Sequence, residues 1–512
     1  MPEQLPGDRI FSFPGGLKLR HHKQIACRDP VRRPPLPERL FVPLGQHQGE
    51  SGQLRVTAGE HVLKGQPLTT SGDDFIVPVH APTSGIVGKV INHPAAFPPG
   101  GTRRCLELTP DGADRWADAK PFDNWRDRPG HELIDHLHHA GLAGMGGAMF
   151  PTAAKLRGDW PDLHTIILNG AECEPYIACD EMLMRERPEA IVEGGLILAH
   201  AVGTRRVVIA IEDRMGAVRT KLEAARRKID GDNIVRIVQV LTIYPEGGER
   251  QLVQTLTGLE VPHNGLPQDL GVVCHNVATA ASARDAIIDG RPVIERMVTV
   301  TGTGITEPCN LLALIGTPFA HLVEAAGGYQ GNIARLVLGG PMSGTALATD
   351  EIPVTCGANC ILALTTEETA PSAPVMPCIN CGQCVNVCPA SLLPQMLYRH
   401  LEAEQYVRAA ELDLADCIEC GCCAQVCPSH IPLVDYFRYG RQELIQRELD
   451  ERRAALARRR FEAREARLEQ EKAERAARRK AREEKLKQPD DAKDEIQAAI
   501  ERARQKKVQD EE

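Results

Sequence analysis

Pro377-Cys-Ile-Asn-Cys-Gly-Gln-Cys-Val-Asn-Val-Cys-Pro-Ala390 and Asp416-Cys-Ile-Glu-Cys-Gly-Cys-Cys-Ala-Gln-Val-Cys-Pro-Ser429 are two copies of one phrase. In each, cysteines stand at i, i+3, i+6 and i+10, and proline follows the last. Three thiolates so spaced wrap a short loop around a [4Fe–4S] cubane, each taking one iron. The fourth, after a longer gap, points away and reaches a second cluster. Proline there bends the chain off the site and has no N–H to leave unpaired. The spacing therefore assigns Cys378, Cys381, Cys384 and Cys427 to one cluster. Cys417, Cys420, Cys423 and Cys388 fall to the other. Zinc binds paired Cys-x2-Cys, but it would need neither the third and fourth cysteines nor the prolines. Cys422 is read as a bystander between two ligands.

This is the bacterial ferredoxin spacing. Between the runs, Leu392, Leu393, Met396, Leu397 and Leu401, then Val407 and Leu412, recur at helical spacing. Two helices are expected there, so the domain is an expanded, helical variant. The other cysteines (Cys27, Cys105, Cys173, Cys179, Cys274, Cys309, Cys356, Cys360) are scattered and read as small buried hydrophobes. No export signal is visible at the N-terminus, so reduced thiols fit the 17 cysteines better than disulfides do.

Upstream, strands and helices alternate, which indicates an α/β layer. His131 to Ala140 reads as a helix running into Gly141-Leu-Ala-Gly144-Met145-Gly146-Gly147-Ala-Met-Phe150-Pro-Thr, with Lys155 beyond. Glycines at that density let backbone N–H groups approach an anion. The strand His164 to Leu168 ends in Asn169-Gly-Ala-Glu172-Cys-Glu174-Pro, and polar residues at the C-terminal end of an α/β strand are where ligands bind. Further strands are expected at Arg206 to Ile211 and Ile234 to Leu241.

Four segments here resemble, in order, the NADH- and FMN-binding subunit of respiratory complex I. They are the glycine loop, Asn169 to Pro175, Tyr244 with Gly247 and Glu249, and His275-Asn276-Val-Ala-Thr279. The resemblance implies that Gly144, Gly146, Gly147, Lys155, Asn169 and Asn276 contact FMN. It implies that Phe150 and Glu249 contact the nicotinamide nucleotide and that Glu174 is the catalytic-site residue beside flavin and nicotinamide. The family's loop arginine is Met145 here, its Asp is Ala171 and its first paired Glu is Gly248. These departures bear on the nucleotide contacts. With two cysteine runs after the flavin-type segments, the chain resembles the RnfC (RsxC) family, the C subunits of Rnf-type (Rsx) ion-translocating electron transport complexes. Its opening Phe11-Ser-Phe-Pro-Gly15-Gly16 is similar to that family's start.

The expected fold is a multidomain α/β chain. Residues 1–37 form an N-terminal arm and 38–125 a β barrel-sandwich domain resembling biotinyl and lipoyl domains. The stretch Thr69 to Phe75, which matches their modified hairpin tip, has no lysine, so a docking module is expected rather than a swinging arm. Residues 126–295 form the FMN/NAD-binding domain, 296–365 a β-grasp (SLBB) module and 366–440 the two-cluster domain. Within the β-grasp module, Gly339-Gly-Pro-Met-Ser-Gly344 reads as a tight turn before it reads as a phosphate loop. Residues 441–512 form a charged helical or disordered tail carrying +3, against −12 for the rest.

A net charge of −9 and 4% aromatic residues argue against a nucleic-acid partner. No run of about 18 apolar residues could span a bilayer. The expectation is a peripheral NAD-linked oxidoreductase subunit on the cytoplasmic side of a bacterial inner membrane, coupled to ion translocation. Its substrate would be NAD(H), and its cofactors FMN and two [4Fe–4S] clusters. Its partners would be the other subunits of the complex, which also bring it to the membrane, and a ferredoxin-like carrier or cluster subunit. Two other readings stay open: a soluble flavin/Fe–S reductase similar to the cobalamin reductases, and a cluster scaffold with a degenerate nucleotide site.

Overall fold

Alternation of apolar and polar side chains builds the first sheet. In the computed structural model, β1 (Leu40–Pro43), β2 (His61–Val62), β3 (Gly85–Pro94) and β4 (Thr102–Pro110) pair antiparallel in the order β1-β4-β3-β2. One face buries Leu40, Val42, Val62, Val87, Leu106 and Leu108 against Val56 and Leu68. A one-residue slip would turn that whole set to water, so burial fixes the register. The structure describes residues 6–97, 100–158, 160, 162–369, 373–486 and 491–509. The chain divides into two units, with the boundary between Arg438 and Tyr439.

The chain then switches to helical and parallel-strand text. Helices α1 (Gly130–His139) and α2 (Thr152–Leu156) flank the glycine loop. β5 (Thr165–Gly170), α3 (Cys179–Glu186), α4 (Pro188–Ala201), β6 (Val207–Glu212), α5 (Gly216–Ile229), β7 (Val235–Val240), α6 (Glu249–Thr257), β8 (Val272–Asn276) and α7 (Val277–Ile288) follow. The four strands are parallel, in the order β7-β6-β5-β8. All six residues of β6 are buried, as expected when helices cover both faces of a sheet. Gly194 on α4 lies where a Cβ would run into the Ala280 carbonyl of α7, so the two helices approach closely only because that side chain is absent.

The third sheet comprises β9 (Glu295–Thr301), β10 (Cys309–Leu314), β11 (Ile333–Leu338), β12 (Thr345–Ala346) and β13 (Cys360–Thr365), in the order β10-β9-β13-β11-β12. Helix α8 (Phe319–Ala325) packs Phe319, Leu322 and Val323 onto it.

In the cysteine-rich region α9 (Gln383–Asn386) and α12 (Cys422–Gln425) occupy equivalent places in the two runs. The backbone repeats with the sequence. Asn380, Gly382 and Ser391 have φ of 58°, 75° and 53°, and their counterparts Glu419, Gly421 and His430 have 54°, 78° and 52°. Between the runs lie α10 (Pro394–Glu402) and α11 (Tyr406–Ala410), the helices expected from the apolar spacing.

The second unit is helical. It holds most of α13 (Leu433–Leu486), and all of α14 (Asp491–Gln509). Its described side chains are exposed apart from a few near Tyr439, and pairs such as Glu448–Arg452 and Arg479–Glu483 sit one turn apart along it. Exposed pairs of this kind contribute only tenths of a kcal/mol each.

Candidate functional site: a flavin-type cavity beside two cysteine cages

The C-terminal ends of β5 and β8 carry Asn169 and Asn276 side by side in register. Asn276 Oδ1 accepts from the Ala278 N–H at 2.8 Å, capping α7, and its Nδ2 donates to Asp180 at 2.6 Å. Asn169 Nδ2 donates to the Gly247 carbonyl at 2.9 Å. Both amides are thus locked by the folds they terminate.

Over them arches the glycine loop. Gly147 has φ +97°, and a Cβ on Gly146 would stand 3.3 Å from that of Asn276. Met145, where the resembling family has arginine, turns inward: it is 3% exposed, and its N–H donates to Thr279 Oγ1 at 3.0 Å. The buried guanidinium of Arg296 on β9 donates to the Met145 and Cys356 carbonyls. Lys155 ion-pairs with Glu249 at 2.9 Å and donates to the Cys274 carbonyl at 2.6 Å. Phe150 meets Phe75 edge-on, with ring centroids 5.8 Å apart. Phe75 ends the lysine-free hairpin stretch of the first domain.

These elements enclose a cavity of about 960 Å³. Every residue for which FMN, nucleotide or catalytic-site roles were expected lines it: Gly144, Gly146, Gly147, Phe150, Lys155, Asn169, Glu174, Glu249 and Asn276. The bare glycine backbone and the volume fit a flavin mononucleotide.

Glu174 is buried, and its carboxylate accepts from the Met342 N–H (2.7 Å), the Ser343 N–H (3.1 Å) and the Ser343 hydroxyl (3.1 Å). The Gly339–Gly344 segment is therefore a turn whose N–H groups are committed to an internal carboxylate. Burial pushes the Glu174 pKa up, and those three hydrogen bonds oppose the shift. Asp180 is likewise pushed up by burial and by the neighbouring Glu172. His275, buried at the end of β8, is depressed to about 3 and stays neutral.

On the far wall, Ile418 and Cys420 reach the same cavity. The Tyr244 hydroxyl donates to the Cys420 carbonyl at 2.7 Å. Cys422 is fully buried in a cluster with Tyr244 and Cys173. Two small cavities lie in the cysteine-rich region. Cys388, Cys417, Cys420 and Cys423 line one, which shares Cys420 with the flavin-type cavity; Cys378, Cys381, Cys384 and Cys427 line the other, which shares no residue with it. Four thiols around each match the donor set of a cubane.

The arm is more than a leader to the fold. Gly15 and Gly16 both have positive φ, and Cβ atoms there would lie 2.6 Å from Val387 and 2.9 Å from the Tyr244 carbonyl. The arm passes between the first cysteine run and the Tyr244 segment, with Gly16 N–H donating to Val387 O and Leu17 bridging Tyr244. It then buries Lys23, which binds the Glu172 and Ile177 carbonyls and lies 3.5 Å from the Glu172 carboxylate. A lysine in an arm reads as surface, and nothing in its sequence neighbourhood marks it otherwise. Arg296 left a trace: a charge within an otherwise buried strand, Glu295–Thr301. The scattered cysteines are buried apart from the half-buried Cys27.

A flavin-type α/β cavity joined to a dicluster module defines a flavin–iron–sulfur electron-transfer protein. Family models match in register with this architecture: the RnfC barrel sandwich hybrid domain over residues 11–113, the Nuo51 FMN-binding domain over 137–285, the SLBB domain over 297–346 and the 4Fe-4S dicluster domain over 377–431. The chain is 44% identical over 92% of its length to the C subunit of the ion-translocating oxidoreductase complex of Yersinia pestis, covering 76% of that protein. The corresponding protein of Serratia proteamaculans is 44% identical over 98% of the chain and 70% of its own length. For Erwinia tasmaniensis the identity is 44% over 92% of the chain, which spans 58% of that relative. The chain belongs to this family, the C subunits of ion-translocating oxidoreductase complexes. Among solved structures, an NAD+-reducing [NiFe]-hydrogenase in the air-oxidized state matches 57% of this chain and 55% of its own, at 20% identity and a TM-score of 0.43. No helix among the described residues is long and apolar enough to cross a membrane.

Proposed function

We propose that this chain is the peripheral electron-transfer subunit of a membrane-bound ion-translocating oxidoreductase, passing electrons between NAD(H) and two [4Fe–4S] clusters by way of FMN. The observation that carries the reading is Cys420: a cysteine of one four-thiol cage also lines the flavin-type cavity. FMN, when bound, exchanges a hydride for single electrons, which a cubane needs. Gly144, Gly146, Gly147 and Lys155 would hold its phosphate end, and Asn169 and Asn276 its ring end. Phe150 and Glu249 would meet the dinucleotide. Glu174 holds the Met342–Ser343 turn against the cavity wall, and Tyr244 ties the Cys420 loop to it.

The cages then form a sequence, with the Cys417/Cys420/Cys423/Cys388 set next to the flavin and the Cys378/Cys381/Cys384/Cys427 set at the outlet. Around the outlet, Val375, Met376 and Ile379 are all more than half exposed, as a surface meeting a one-electron partner would be. With no membrane-crossing helix among the described residues, attachment to the cytoplasmic side of an inner membrane would come through other subunits.

Anaerobic titration of the purified, FMN-loaded chain with NADH tests the reading. Flavin bleaching followed by reduced-cluster EPR signals is expected. NADH that bleaches neither flavin nor clusters would remove it.

A further inference from the structure

The cavity has a wall that the flavin-type domain does not supply. Phe97, at the end of the β3–β4 hairpin, and Arg103 on β4 line it together with Gln48. All three belong to the barrel-sandwich domain. Gln48 fastens that domain to the far end of the glycine loop: its N–H donates to the Met149 carbonyl at 3.0 Å and its amide to the Ala148 carbonyl at 2.9 Å. Cys356, beside this contact, donates its N–H to Gln46 Oε1 at 3.0 Å. The Leu44 N–H donates to the Arg104 carbonyl at 3.1 Å, which ties the Arg103 stretch of β4 to the segment that leads to Gln48 and so to the Met149 end of the loop.

Charge gives Arg103 its meaning. The cavity is lined by four carboxylates, Glu172, Glu174, Asp180 and Glu249, and by three lysine or arginine side chains. Lys155 is paired with Glu249, and Arg250 lies 3.5 Å from Asp416. Among the described residues no carboxylate pairs with the half-buried Arg103. An anionic ligand entering this cavity needs a cation whose charge is not already spent. The glycine loop offers none at Met145, whose side chain faces the core.

We propose that Arg103 binds the pyrophosphate of the nicotinamide dinucleotide, so that the lysine-free barrel-sandwich domain forms one wall of the substrate site. The inference rests on the NAD(H) reading above. The dinucleotide is favoured over the FMN phosphate by position. Arg103 lines the cavity with Phe97 and with Phe150, the residue assigned to the dinucleotide, whereas Gly146, assigned to the FMN phosphate, packs against Asn276 at the strand ends.

The test uses the full FMN- and cluster-loaded chain, titrated anaerobically with NADH. Arg103→Ala is expected to raise the Kd for NADH about tenfold or more, the scale of a lost charge-assisted hydrogen bond. It should also flatten the salt dependence of binding. Arg103→Lys should recover most of the affinity. FMN content, iron content and melting temperature should match wild type. Unchanged NADH affinity in Arg103→Ala would overturn the proposal. So would loss of FMN, which would give Arg103 to the flavin phosphate instead. If the wild-type flavin is not reduced by NADH at all, the proposed function and this inference fall together; if it is, only Arg103 is at stake.

Discussion

Replacing Cys427 by serine tests the crossed ligation most directly. Cys427 ends the second cysteine run, yet it lines the cavity of the first, with Cys378, Cys381 and Cys384. Its loss should cost the outlet cluster and leave the Cys417/Cys420/Cys423/Cys388 set complete. Iron per chain should fall from about eight to about four, and the sulfide-to-iron absorbance near 400 nm by about half. The surviving cage keeps its supports: Tyr244 still donates to the Cys420 carbonyl at 2.7 Å, and Gly16 to Val387 at 3.1 Å. NADH should therefore still bleach the flavin and reduce the remaining cluster, while delivery to an external one-electron acceptor fails. The assay is iron and sulfide analysis with EPR of the dithionite-reduced protein, using Cys381→Ser and Cys420→Ser as reference spectra. Cys427→Ser should reproduce the Cys381→Ser spectrum, and Cys388→Ser the Cys420→Ser spectrum. A Cys427→Ser spectrum matching that of Cys420→Ser would refute the pairing.

Other consequences follow from buried groups. Glu174→Ala removes the acceptor of two backbone N–H groups and a hydroxyl, and should lower stability by about 2–4 kcal/mol; thermal melting at wild-type values would show that the Met342–Ser343 turn stands without it. His275 titrates near 3 in the fold against 6.5 when free, because burial disfavours its cation. The unfolded chain thus takes up the proton first, and stability is lost as pH falls below about 6.5. By pH 5 the loss is about 2 kcal/mol relative to His275→Asn, and denaturant unfolding of both proteins at pH 7 and pH 5 checks it. A gap between the two that does not change with pH would exclude the mechanism.

Local pattern made much of the architecture legible. The cysteine spacing announced the cluster loops, and because both copies repeat the sequence they repeat the backbone, down to left-handed Gly382 and Gly421. Pattern placed three of the four parallel strands, β5, β6 and β7, within a residue or two, β5 and β6 because they hide nearly every side chain; β8 was not read. The glycine loop and Asn169 were visible because close backbone approach and strand-end polarity are written in single positions, whereas Asn276 came from the family resemblance alone. The Gly339–Gly344 turn was legible as a turn, but its partner Glu174 was not.

What sequence could not supply is which distant segments share a space. Lys23 and Arg103 are ordinary cations along the chain, and Arg296 is marked only by its place in an apolar strand. Only the packing of the arm, the barrel-sandwich and β9 around the α/β layer buries Lys23 and Arg296 and turns Arg103 toward the cavity. Likewise, sequence named eight cysteines and their pairing rule, while tertiary structure decided that the Cys420 loop, held by Tyr244, is the one against the flavin-type cavity. The physical reason is the same in each case. Ligand spacing and strand period are set by bond geometry within a few residues, whereas burial, charge pairing and the order of electron carriers depend on contacts between residues dozens to more than a hundred positions apart.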